Sequence, residues 1–294
     1  MKEEVLLVGK SHALVGIITN ASNERKNYNL PAILLLNAGL LHRVGPNRMS
    51  VKIARDLAAL GFTVLRFDFS GIGDSLVSSS NLSFKKRWMN EAQEAIDHLH
   101  ATRGVERFVL IGLCAGALAS FKSACFDSRV VGAVLINGQG HLHDDDNDEL
   151  NTLIVRRTQA RYKLRIGLSG SLKKKIWLKV LTGKVNYWAI AKNQFKSLLV
   201  RKEDIRVELD GIQQELDRLN ERGVQLLHIC SEGDSGLDYL HLVLGDSMEK
   251  WIKCGRLNVQ IIPGANHTLT LLENQQHLLN ILHQWAENSL MPQH

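Results

Sequence analysis

Short runs of β-branched residues alternate with longer segments whose apolar residues recur at helical spacing through most of the chain. This alternation predicts a mostly parallel sheet with helices on both faces, because parallel strands need crossover connections. The first two strands are expected to form an antiparallel pair at the sheet edge. The predicted strands are Val5–Val8, Leu14–Thr19, Ala32–Leu36, Thr63–Phe69, Phe108–Leu113, Val130–Ile136, Val224–Cys230 and Leu257–Ile262. The predicted helices are Pro46–Leu60, Leu82–His100, Ala115–Cys125, a segment ending at Arg222, Asp238–Lys253 and Leu269–Ala286.

The alternation stops after Ile136 and resumes near Val224. The interval holds an acidic cluster, HDDDNDEL, and then a basic stretch, residues 156–202, with 14 Lys and Arg and no Asp or Glu. Since the net charge is +6 over 294 residues, the rest of the chain carries −8. We therefore predict an α/β core of residues 1–138 and 206–294, interrupted by a basic helical lid of residues 139–205.

The composition indicates a globular protein without metal or disulfide chemistry. Hydrophobic residues make up 45% of the chain and charged residues 22%, as in ordinary globular proteins. The four cysteines have neither CxxC spacing nor close pairs, which favours a reducing compartment. The start, MKEEVLLVGKSH, lacks the apolar core of a signal peptide, and the longest apolar stretch, Ala32 to Leu41, is too short to cross a bilayer. We expect a cytoplasmic protein without a cofactor.

The segment Gly112-Leu113-Cys114-Ala115-Gly116 has the form glycine–x–nucleophile–x–glycine, between a predicted strand and a predicted helix. A turn of this kind holds a nucleophile in strained backbone geometry, and its glycines let strand and helix approach closely. The start of the helix favours thiolate over thiol. Cys114 is therefore the candidate nucleophile. The alternative is a buried structural cysteine in a tight turn.

Such an elbow predicts an acid and then a histidine, each in a loop after a later strand. Asp234 follows one predicted strand, and among twelve histidines only His267 lies between the last strand and the last helix. The order predicts a catalytic triad of Cys114, His267 and Asp234, with Asp238, one helical turn later, as the alternative acid. Taken singly, His267 is more often a helix-capping or surface residue, and Asp234 a turn residue.

An oxyanion hole needs two backbone N–H donors. One is expected from Ala115, the residue after the nucleophile, and the other from the loop that follows the strand Ala32–Leu36. That loop reads Asn37-Ala38-Gly39-Leu40. Its glycine permits a turn, and the sequence leaves Gly39 and Leu40 both open as the second donor.

The same loop continues into His42, Arg43 and Arg48, which are candidate substrate-binding residues. An arginine in this position can hold a substrate carboxylate or phosphate in bidentate fashion. The alternative is that the two arginines are surface charges or tie the loop down through Asp68 or Asp74. We predict that Asp68 and the turn GIGDS are structural.

Four segments of the chain carry a family resemblance: HRVGPNRMSVKIARDLAALGFTVLRFDFSGIGDS, GLCAGA, KKKIWLKVLTGKVN and PGANHTL. With the elbow, the acid and the histidine, they resemble the α/β-hydrolase superfamily, and more closely the hydrolases encoded beside exosortase-type exopolysaccharide clusters. The similarity runs from about Ile33 to Trp285. It implies the α/β-hydrolase fold and a site at Cys114, His267 and Asp234, without implying a particular substrate. The acidic stretch at residues 144–149 and the basic lid depart from the family pattern.

A cysteine nucleophile forms a thioester acyl-enzyme, which reacts well with amines and thiols and more slowly with water. This favours activated acyl groups (thioesters, lactones and small esters) over stable amides. We predict a thioesterase or esterase. The alternatives are an acyltransferase that passes an acyl group from a carrier protein or coenzyme A to an amine or alcohol, and a non-catalytic binding protein with this fold.

The basic lid is expected to attract an acidic partner. Candidates are an acyl carrier protein, the phosphates of coenzyme A, and an anionic membrane surface. The alternative is a solvated face of ordinary helices. No nucleic-acid motif accompanies the charge, and the lid aromatics Trp177, Tyr187, Trp188 and Phe195 are expected to pack, so nucleic acid is not an expected partner.

Overall fold

The computed structural model of the chain describes residues 2–9, 13–21, 30–138, 158, 202–245, 247–255 and 257–292. The predicted lid, residues 139–205, therefore lies outside the described residues, apart from Thr158 and the first turn of a helix that begins at Lys202. The lid aromatics that are expected to pack lie outside them as well.

One sheet contains all eight strands of the described ranges. They are β1 (Lys2–Val8), β2 (Leu14–Asn20), β3 (Ala32–Leu36), β4 (Val64–Phe67), β5 (Phe108–Leu113), β6 (Val130–Ile136), β7 (Gln225–Gly233) and β8 (Asn258–Asn266). The spatial order is β1-β2-β4-β3-β5-β6-β7-β8. β2 pairs antiparallel with β1 and β4, whereas the other neighbours are parallel. The predicted alternation and the antiparallel edge pair are confirmed.

Seven α-helices lie in the described ranges. They are α1 (Met49–Leu60), α2 (Phe84–Arg103), α3 (Ala115–Phe126), α4 (Lys202–Glu221), α5 (Gly236–Leu244), α6 (Ser247–Lys253) and α7 (Leu272–Leu290). The single helix predicted over 238–253 is wrong: Gly245, with φ 49° and ψ −133°, ends α5, and a second helix follows. None of these helices is long and apolar enough to cross a membrane.

The two faces of the sheet bury separate apolar clusters. Along β5, Leu110 points to the cluster that α2, α3, α4, α5 and α6 cover, while Val109 and Ile111 point to the one that α1 and α7 cover. Every residue of β5 is buried, as expected of a central strand covered on both faces. The carboxyl ends of β3, β5, β6, β7 and β8 consequently share one edge, where the candidate site lies.

Candidate active site

Cys114 occupies the turn between β5 and α3 in a strained backbone conformation. Its φ of 57° and ψ of −116° are rare for a residue with a side chain. The turn is held in place because the N–H of Cys114 donates to the carbonyl of Ile136 at the end of β6, over 2.9 Å. The thiol is partly exposed and sits at the first turn of a helix, as the elbow prediction requires.

The two glycines of the elbow leave no room for a side chain. A Cβ on Gly112 would overlap the carbonyl group of Gly116, and a Cβ on Gly116 would lie 2.6 Å from the carbonyl oxygen of Asn37. These are backbone atoms, so they cannot move aside as a flexible side chain would. The start of α3 is therefore pressed against both β5 and the loop after β3.

Asp234 and His267 follow directly on β7 and β8. Both strands run further than predicted, and their last pair is Gly233 with Asn266, so the next residues of the two strands are neighbours. The His267 Nδ1 atom lies 2.7 Å from Oδ2 of Asp234. The other carboxylate oxygen of the buried Asp234 accepts the N–H of Gly236 over 2.8 Å, which orients the acid.

The surroundings of His267 favour the charged form of its imidazole. The hydrogen bond to Asp234, and after it the interaction with the Cys114 side chain, raise the pKa of His267 to about 10, against the opposing effect of burial. Since Asp234 occupies Nδ1, Nε2 remains to face the sulfur. The arrangement is therefore that of a cysteine, an imidazole and a carboxylate in line.

Asp238, the alternative acid, lies in the first turn of α5 and is partly buried. The carboxylate that meets the His267 imidazole at Nδ1 is that of Asp234. The structure thus brings together Cys114, His267 and Asp234 in the order that the sequence predicts.

Asn137 also belongs to this site, although the order of motifs in the sequence does not predict it. It is fully buried at the residue after β6. Its Nδ2 donates to Ser231 Oγ (2.9 Å) and to the carbonyl of His267 (2.8 Å), and its Oδ1 accepts the N–H of Ser231 (2.7 Å). A signal was available, because Asn137 also stands at a strand end on the functional edge and has a φ of 48°, which asparagine tolerates well.

The expected oxyanion donors lie at the start of α3 and in the loop after β3. The N–H of Ala115 is in the first turn of α3, where no intrahelical acceptor exists. In the loop, Leu41 N–H donates to the carbonyl of Ala38 over 3.3 Å, closing a turn in which Gly39 has a φ of 61°. Gly39 and Leu40 both remain candidates for the second donor.

The three candidate substrate-binding residues have different surroundings. Arg43 is largely buried, and its two terminal nitrogens bind carboxylates: Nη1 that of Asp68, and Nη2 that of Asp74 at 2.7 Å. Arg48 is exposed, with a φ of 61° at the start of α1. The imidazole of His42 is 40% exposed. The contacts of Arg43 are those of the alternative in which it ties the loop down.

Ligand atoms of His42, Asp68 and Asp74 lie within 4.8 Å of one another, which is the one metal-like grouping in the described residues. The guanidinium of Arg43 binds both carboxylates. It supplies the positive charge that a bound metal ion would otherwise bring to these two carboxylates. The residues present therefore fit an arginine better than a metal ion.

No protein-family model and no curated protein sequence matches the chain. Among solved structures, XC6422 from Xanthomonas campestris, an α/β serine hydrolase without lid, is 14% identical over 100% of this chain and 98% of its own, with a TM-score of 0.55. The Pyrococcus furiosus esterase Pf2001 is 12% identical over 99% of this chain and 93% of its own (TM-score 0.60). The α/β hydrolase GrgF from Penicillium sp. sh18 is 15% identical, with 99% of each chain covered (TM-score 0.56). The chain has the α/β-hydrolase fold, as predicted.

Proposed function

We propose that this protein is an acyl-processing enzyme, a thioesterase or esterase, that works through a thioester on Cys114. The observation that carries the proposal is the arrangement of Cys114, His267 and Asp234 at the ends of β5, β8 and β7. The esterase Pf2001 has the same fold, which supports acyl transfer to water. Membership of the exosortase-associated hydrolases stays a prediction.

In the first half of the reaction, the Cys114 thiolate attacks the acyl carbon and forms a C–S bond. The carbonyl oxygen becomes an oxyanion, which the N–H of Ala115 and a second N–H from Gly39 or Leu40 stabilise. When the tetrahedral intermediate collapses, the bond to the leaving thiol or alcohol breaks, and His267 gives that group its proton.

In the second half, His267 is neutral and takes a proton from water as the water attacks the thioester. The carboxylic acid leaves, the sulfur departs as thiolate, and His267 is again imidazolium. Asp234 holds the ring in the required tautomer throughout. Each half of the reaction moves one proton through Nε2 of His267. His267 is therefore the acid in the first half and the base in the second.

The surroundings favour an apolar acyl group over a charged one. Arg43, the best candidate for binding a substrate anion, has both terminal nitrogens on carboxylates. The loops that carry the oxyanion donors and His267 instead present exposed leucines: Leu40, Leu41, Leu271 and Leu272. We propose that the acyl group arrives on an acidic carrier, an acyl carrier protein or coenzyme A, or from an anionic membrane surface, drawn by the basic stretch 156–202.

The test is intact-protein mass spectrometry after exposure to a panel of acyl-coenzyme A thioesters of two to sixteen carbons. We expect a mass increase equal to one acyl group, lost in Cys114→Ala and retained in Cys125→Ala. Cys125 is a matched control because burial raises the pKa of its thiol to about 12, which keeps it unreactive. Free acid should accumulate as the adduct turns over.

Two outcomes would change the assignment. If the adduct releases no acid and is lost only when an amine or alcohol is added, with the amide or ester as the product, the protein is an acyltransferase. Binding of acyl thioesters without an adduct or turnover, at the same affinity in Cys114→Ala, would make it a non-catalytic binding protein.

A further inference from the structure

Asp68 lies directly after β4 and is fully buried, yet both of its carboxylate oxygens are used by the neighbouring loop. Oδ1 accepts the side-chain amide of Asn37 (3.0 Å) and the backbone N–H of Arg43, and Oδ2 accepts Nη1 of Arg43. Asn37 and Arg43 are the two ends of the loop that contains Gly39 and Leu40. One carboxylate therefore holds both ends.

Asn37 braces the same loop internally. Its Nδ2 also donates to the carbonyl of Leu41 over 2.8 Å, and its Oδ1 accepts the N–H of Phe69 over 2.9 Å. The backbone carbonyl oxygen of Asn37 packs closely on Gly116, because a Cβ at that position would lie only 2.6 Å from it. On one side, the turn that contains Gly39 and Leu40 is thus fixed to the residues that follow β4. On the other side, it is pressed against the start of α3, where Ala115 is the expected first donor.

From these contacts we propose that Asp68, acting through Asn37 and Arg43, is a positioning residue that sets the distance between the two oxyanion donors. The proposal rests on the proposed function, because it assigns a role in stabilising the oxyanion of that reaction. It also reassigns Arg43 from substrate binding to the support of the loop. Asp68 touches no reacting atom, so it is not a catalytic residue.

Asp74 provides a matched control. It binds the same guanidinium through Nη2 but is 64% exposed, and within the described ranges its carboxylate contacts the side chains of Arg43 and His42 and not Asn37 or the loop backbone. In Asp68→Asn, by contrast, one oxygen becomes an NH₂ group that faces either the Arg43 or the Asn37 donor. Two donors then oppose each other inside the protein, and one end of the loop is released.

The experiment measures hydrolysis of a p-nitrophenyl ester and, separately, alkylation of Cys114 by iodoacetamide, in wild type, Asp68→Asn and Asp74→Asn. Alkylation needs the thiolate but no oxyanion hole. For Asp68→Asn we expect kcat to fall about 10- to 100-fold, approaching the cost of removing one oxyanion donor. KM and the alkylation rate should stay within about twofold. Asp74→Asn should stay within about twofold in all three quantities.

Arg43→Lys is the second variant, and decides the matter if Asp68→Asn does not fold. Lysine keeps the charge but lacks the planar guanidinium that directs Nη1 to Asp68, so kcat should fall at least about fivefold with alkylation unchanged. The proposal is overturned if kcat is unchanged in the folded variants, if alkylation falls in parallel with kcat, or if only KM rises. Failure of the proposed function looks different: ester hydrolysis would then survive in Cys114→Ala.

Discussion

The Nδ1 atom of His267 lies 2.7 Å from Oδ2 of Asp234, across 33 residues of sequence. The contact follows from strand register: Gly233 pairs with Asn266 at the ends of β7 and β8, so the next residue on each strand meets its counterpart. The pair leaves Nε2 of His267 for Cys114. The reactivity of Cys114, the effect of replacing Asp234 and the pH dependence of stability all depend on this contact.

Alkylation should select Cys114. Because the hydrogen bonds to Asp234 and Cys114 raise the pKa of His267 to about 10, this side chain favours a positive charge beside the sulfur, and iodoacetamide should modify Cys114 first. Burial raises the pKa of Cys125 and of Cys230 to about 12, so only the exposed Cys254 competes. His267→Ala should slow the reaction at least about tenfold at pH 6.5. Peptide mapping identifies the alkylated cysteine. Faster labelling of Cys254, with full activity in Cys114→Ala, would refute the assignment.

Replacing the acid should weaken catalysis without removing the nucleophile. In Asp234→Asn the amide cannot fix the imidazolium, and we expect kcat to fall about 10²- to 10⁴-fold. Asp238→Asn is the matched control and should keep kcat within about threefold. Steady-state kinetics on one ester decides between them. Full activity in Asp234→Asn together with loss in Asp238→Asn would move the acid to α5.

Stability should depend on pH through His267. Its pKa is raised in the folded protein to about 10, so folding favours the protonated form. This contribution is fully present below the ordinary pKa of about 6.5 and is lost as pH rises through about 10. In urea titrations the difference in unfolding free energy between wild type and His267→Gln should shrink from pH 6 to pH 10.5. In an Asp234→Asn background the same difference should change little, and an equal pH dependence there would contradict the stated cause.

Asn137 should matter for both stability and rate. Asn137→Gly keeps the φ of 48° without strain but loses the hydrogen bonds to Ser231 and His267. We expect kcat to fall at least about tenfold, because the carbonyl of His267 is released. Asn137→Ala adds the strain of a side chain at positive φ, and should unfold at about 1 kcal/mol lower free energy than Asn137→Gly. Unchanged kcat in both variants would show that the asparagine serves stability alone.

The basic stretch 156–202 should recruit acidic substrates over a distance. Reversing Lys173, Lys174 and Lys175 to Glu should raise KM for an acyl-coenzyme A or carrier-bound substrate and flatten its salt dependence, since such attraction is screened over about 8 Å at physiological salt. KM for a small neutral ester should not change. Liposome co-sedimentation tests the membrane alternative. If carrier kinetics and vesicle binding are both unchanged, the stretch has no recruiting role.

The local sequence pattern predicts those elements whose bounds depend only on their own residues. The apolar run Phe108–Leu113 followed by small residues predicts β5, the elbow and α3, and the structure has them at those positions. Pattern failed where pairing is non-local. β8 continues to Asn266 because β7 pairs with it again at Gly233, across a register shift that contains Pro263 and Gly264, and both of these residues are turn signals in isolation. Gly245 likewise ends a helix inside a continuous apolar periodicity.

The sequence by itself determined the order of strands and helices, and with it that Cys114, Asp234 and His267 each stand at the end of a strand. Only the tertiary structure decided which side chains meet there. It brought Asp234 to His267, gave Arg43 to Asp68 and Asp74, and joined Asn137 to the carbonyl of His267, 130 residues away. The physical reason is that hydrogen bonds form only within about 3 Å. Strand register and loop closure set such distances between remote residues, and neither is encoded in the periodicity of a local segment.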